Sequence, residues 1–129
     1  MTRLEKIILV TGIGMWLVVL LGCAFAPEDA VPFTPPPEYR TIWDSAQACT
    51  GRTGDYDRIR FWVVPGDGFY HDGRKLAGHA DRPDIYLAEV YTDHPMVVKH
   101  EMIHALGVGG HPAVPFVDPC RATWESWLQ

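Results

Sequence analysis

The feature that most constrains this chain is the apolar run Ile7–Leu21, fifteen residues with Thr11 as the only polar member. It falls short of the roughly 20 apolar residues that a membrane-spanning helix needs. It also follows a short start carrying Arg3 and Lys6, so residues 1–22 read as an export signal rather than as part of a fold. Met1–Gly22 holds 14 hydrophobic residues of a 129-residue chain that is 47% hydrophobic, so the composition overstates what the folded part can bury. The next stretch adds little to a core: residues 24–38 contain five of the 11 prolines and no hydrophobic periodicity, and with Cys23 they read as an extended spacer, 23–38. What must fold is 39–129, about 90 residues, enough for one domain and small enough for a covalent or metal staple to matter.

The run ends in Leu20-Leu21-Gly22-Cys23, which resembles a bacterial lipobox. The resemblance implies a lipid on Cys23 and a protein anchored to the bacterial cell envelope, facing the periplasm or the exterior. An ordinary signal anchor with an incidental Cys23 is the other reading. Cys49 and Cys120 then remain, in an oxidising compartment. Paired, they would close a loop of about 70 residues and add about 3–4 kcal/mol in the chain-entropy estimate; unpaired, they are two buried thiols. A net charge of -5 with no basic run speaks against a nucleic-acid partner. With 21% charged and 12% aromatic residues, the chain does not have the composition of a disordered one.

In 39–129 the patterns alternate between helix and strand. Tyr39–Cys49 puts Ile42, Trp43, Ala46 and Cys49 on one helical face, and Thr50-Gly51 suits its end. Arg58–Val64 is β-branched and aromatic and stops at Pro65-Gly66, as a strand closed by a turn does. Phe69–His71 and Asp84–Val90 read as further strands. Thr92-Asp93-His94-Pro95 marks a helix start, with Asp93 as cap and Pro95 in the first turn; the helix runs over Met96–Leu106 and ends at Gly107. Pro119–Leu128 can form one short helix with Trp124 and Trp127. The order predicts a small α+β fold.

Inside the strong helix stands His100-Glu101-Met102-Ile103-His104. Positions four apart share a face, so two imidazoles can reach one ion, and Glu101, about 100° round the helix, can reach a water without ligating the metal. This is the His-Glu-x-x-His pattern, and the chain here resembles the zincin metallopeptidases. His100–Gly107 is similar to the opening of the metzincin pattern His-Glu-x-x-His-x-x-Gly-x-x-His. Two departures are visible: Gly110 stands where that pattern has its third His and His111 comes one residue later, and no Met follows Met102. Gly109 and Gly110 give a return loop the backbone freedom to absorb the extra residue. His111 is thus the leading third ligand, with Glu125 and then Asp118 as alternatives.

The resemblance implies a minimal zincin-like domain, a few-stranded sheet packed on an active-site helix. It implies zinc on His100, His104 and His111, Glu101 as general base, and hydrolysis of a peptide or protein substrate; with only about 90 residues to fold, a short or flexible substrate suits the domain better than a large folded one. It also makes Asp84–Val90 the edge strand that holds an extended peptide, and leaves Tyr86, Tyr91, His79 and Arg121 as candidates for stabilising the oxyanion. Beside this metallopeptidase reading stands a non-catalytic envelope lipoprotein whose zinc is structural or sequestered; Glu101 separates the two. An unknown protein partner could supply surface that the small domain lacks.

Overall fold

The computed structural model describes residues 25–129. Expectations for the export signal 1–22 and for lipidated Cys23 lie outside them; among the described residues, no helix is long and apolar enough to cross a membrane.

The architecture is α+β. Helix α1 (Glu38–Thr50) precedes strand β2 (Arg60–Val64), the hairpin β3 (Phe69–His71) and β4 (Arg74–Leu76), then β5 (Gly78–Asp81) and β6 (Asp84–Ala88). Helix α2 (Pro95–Ala105) follows, then the single turns α3 (Ala113–Phe116) and α4 (Trp124–Trp127). A two-residue strand β1 (Val31–Pro32) comes before all of these. It lies inside the stretch read as spacer and pairs antiparallel with β2, Val31 opposite Val63 and Pro32 opposite Trp62. An edge strand tolerates a proline, whose missing N–H need not serve a second neighbour.

The main sheet has the order β1-β2-β6-β5, with β2 and β6 parallel and β5 antiparallel to β6. The register sorts side chains by face. Phe61, Ile85 and Leu87 point to the helices, where they form the main core with Tyr39, Trp43, Met102 and Ile103. Val64, Tyr86 and Ala88 line the opposite face, joined by Phe69 and covered by Phe25. β6 is therefore an inner strand with both edges paired. The expected edge-strand role of Asp84–Val90 is overturned: the strand runs only to Ala88, its residues after Asp84 are buried, and the sheet edges belong to β1 and β5.

The first helix forms as its pattern requires, with Tyr39, Trp43 and Ala46 buried, and it ends where Gly51 adopts φ 69° and donates to the Gln47 carbonyl. Cys49 on this helix is bonded to Cys120. The start of α2 differs from expectation by one residue. His94, not Asp93, occupies the N-cap, and no side chain caps the helix; Pro95 has no N–H to satisfy there. The short turn Glu89–Tyr91, closed by Thr92 N–H to Glu89 O and His94 N–H to Tyr91 O, sets the cap one residue later. α2 is buried on most of its surface, Glu101 included, because α1, β5 and β6 all pack on it.

Candidate metal centre

His100 and His104 project one turn apart from α2. After Ala105 the chain reverses through Gly107, at φ 96°, and Gly110, at φ 61°, both in the left-handed region that favours glycine. This loop delivers His111. The three Nε2 atoms then lie 3.2 Å (His100–His104), 3.2 Å (His104–His111) and 3.1 Å (His100–His111) apart. Tetrahedral Zn–N bonds of 2.0–2.1 Å place two ligand nitrogens about 3.3 Å apart, so the spacing fits such an ion.

The protons point to the same conclusion. His100 Nδ1 lies 2.7 Å from the Ala122 carbonyl and His104 Nδ1 lies 2.8 Å from the Val108 carbonyl. A carbonyl only accepts, so each Nδ1 carries the hydrogen and each Nε2 of the neutral ring presents a lone pair. Burial drives the His100 pKa down to about 4, opposed by the Ala122 carbonyl and reinforced by His104 and His111; burial likewise lowers that of His104. Two lone pairs 3.2 Å apart cannot hydrogen-bond each other. A cation between them resolves the conflict, and His100, His104 and His111 form the group of side chains placed to hold a metal ion. Neither Glu125 nor Asp118 belongs to that group.

Two further elements support the cluster. The buried Phe116 ring lies 4.8 Å from the His100 ring, 4.8 Å from that of His104 and 5.4 Å from that of His111, giving the site an apolar floor. Cys120, tied to α1, precedes by two residues the Ala122 whose carbonyl orients His100. Sequence reasoning named neither Phe116 nor Ala122. A backbone carbonyl leaves no mark in a sequence, and a lone Phe between prolines reads as loop.

Glu101 is only 6% exposed and, among the described residues, has no hydrogen-bond or ion-pair partner. Burial pushes its pKa up to about 8. Its arm lies against Gly78 of β5: a Cβ at Gly78 would stand 2.8 Å from Glu101 Cγ and 3.1 Å from its Oε1. Gly78 thus opens the space that the carboxyl fills, a role the sequence did not disclose.

Glu101 and the three histidines line one cleft of about 580 Å³, bounded by β5 on one side and by the 107–111 loop and Trp124 on the other. Of the four oxyanion candidates only His79 is among the residues that line this cleft. Tyr86 donates to the Phe25 carbonyl on the far face of the sheet. His79, opposite Tyr86, turns to that face too, where its ring meets Phe25 and His71 at 4.5 and 4.9 Å. Tyr91 packs on His94 and Trp124, and Arg121 donates to the Ser126 carbonyl.

No family model, no curated protein and no solved structure matches this chain.

Proposed function

We propose that the protein is a zinc-dependent hydrolase of peptide bonds, tethered to the bacterial envelope through Cys23. The observation that carries this reading is Glu101: a side chain only 6% exposed, one residue from a metal ligand, whose carboxyl oxygens reach the cleft rather than being sealed in the core. A purely structural site gains nothing from a carboxyl held where its surroundings disfavour the charge.

Zinc at the three histidines would supply Lewis acidity, to a substrate carbonyl and to water. The chain's own groups do the rest. Ala122 and Val108 fix the ring orientations of His100 and His104 through their Nδ1 hydrogens. Glu101 takes a proton from the attacking water and returns it to the leaving amine, the part of a general base that then serves as general acid. Phe116 and the buried helix keep solvent from the floor of the site. The free edge of β5 offers main-chain groups to an extended peptide lying in the cleft.

The test is metal analysis and hydrolysis of a mixed peptide pool by the full chain. Glu101→Gln is expected to keep zinc and lose turnover by about 100-fold or more; equal turnover in parent and variant overturns the mechanism. His111→Ala is expected to weaken zinc binding, and if it does not while Glu125→Ala does, the third ligand is misassigned.

A further inference from the structure

The protein carries 16 acidic residues against 11 basic ones, yet the charges that line the cleft run the other way. Arg74, Lys75 and Arg82 are cationic there, against Glu101 alone. Lys75 is engaged by Asp67 at 3.0 Å. Among the described residues, Arg82 has no carboxylate partner, and neither does Arg52, which comes up to the same spot.

That spot is Gly107, on the cleft wall directly after α2. A Cβ built there would stand 3.1 Å from Arg52 Nη1 and 3.4 Å from Arg82 Nη1. The two guanidinium groups therefore converge on a position that the glycine leaves bare. The C-terminal carbonyls of α2 attract cations, and Arg52 Nη1 does donate to the Leu106 carbonyl, at 3.5 Å. One long hydrogen bond leaves most of the five N–H donors on each of these exposed arginines to water, which an anion can displace. Two like charges side by side also repel, and an anion accepting from both removes that repulsion while gaining charge-assisted bonds.

We propose that Arg82 on the cleft wall and Arg52, which meets it at Gly107 from the rim, form an anion subsite that takes a carboxylate of the peptide substrate. The proposal rests on the peptidase reading and deepens it. Gly107 and Arg82 line the same cleft as His104 and His111, so the carboxylate belongs to a residue near the bond to be cut. An acidic side chain and a free C-terminus present the same chemistry. The preferred substrate is thus an anionic peptide, held by an acidic protein through a locally cationic wall.

The experiment measures binding by calorimetry to full-length Glu101→Gln protein loaded with zinc. The probes are a hexapeptide with one Glu, its Gln counterpart, and both with free or amidated C-termini. A carboxylate-bearing peptide is expected to bind about 10-fold more tightly than its neutral counterpart. The preference should weaken with added salt, persist in metal-free protein, and vanish in an Arg52→Gln/Arg82→Gln double variant of unchanged zinc content and unfolding midpoint. Loss of the preference on replacing Glu assigns the site to an acidic side chain; loss on amidation assigns it to a C-terminus. Equal affinity for charged and neutral peptides overturns the proposal, as does a preference surviving in the double variant. If neutral and acidic peptides are hydrolysed equally well by the parent, the subsite falls and the peptidase reading stands. Carboxylate binding that depends on the arginines without hydrolysis of any peptide leaves the subsite and removes the peptidase reading.

Discussion

At the scale of single residues, the centre depends as much on atoms that are missing as on those present. Gly78 has no side chain where Glu101 needs room. Gly78→Ala is therefore expected to displace the Glu101 carboxyl while leaving the histidines in place, so zinc content stays and turnover falls by about 10-fold or more. A variant that hydrolyses peptides as fast as the parent would show that the carboxyl's position is unimportant. Parts of this arrangement were legible in the sequence. The four-residue spacing placed His100 and His104 on one face, and the glycines of 107–110 made a tight return to His111 plausible, though Glu125 and Asp118 stood beside it until the fold separated them. Gly78, Phe116 and the Ala122 carbonyl were not legible, because each acts through a neighbour that is distant in the chain.

At the scale of elements, strand existence was easier to read than strand position. β2, β3 and β6 follow from their β-branched and aromatic content, but a strand's own residues do not state which neighbours it will take. One signal was there to be read: Ile85-Tyr86-Leu87-Ala88 is continuously apolar, as expected of a strand covered on both faces. Asp72-Gly73, with φ of 50° and 74°, likewise joins β3 to β4 in the kind of two-residue turn that such a pair favours. The disulfide has consequences at this scale. It ties α1 to the segment that ends in Ala122, so it restrains both the unfolded chain and the orientation of His100. Replacing Cys49 and Cys120 by Ala is expected to cost about 3–4 kcal/mol in denaturant unfolding and to weaken zinc binding about 10-fold through the loosened Ala122 carbonyl. Unchanged zinc affinity in a destabilised variant would confine the bridge to a stability role.

At the scale of the whole molecule, the site couples folding to protons and metal. In the metal-free protein the folded state keeps a proton on Glu101 from its ordinary 4.5 up to about 8, where the unfolded chain has lost it. Stability from this group is complete below pH 4.5 and declines as pH rises through 8. His100 works in the opposite sense: depressed from 6.5 to about 4, it makes the fold gain stability as pH rises through that window. Above pH 6.5 the contribution of His100 is level, so of these two groups only Glu101 still gives a slope. Urea unfolding in chelator is thus expected to give a lower midpoint at pH 8 than at pH 6.5, and Glu101→Gln should flatten that difference. The same fall in both proteins would assign it elsewhere. Zinc, binding the folded state alone, should raise the midpoint at both values.

Phe25 fixes one more property of the whole molecule. Its ring is lodged among His71, His79 and Tyr86, beside the edge strand that lines the cleft. The stretch read as a spacer is therefore pinned to the domain at the first described residue, on the face of the sheet that turns away from the helices.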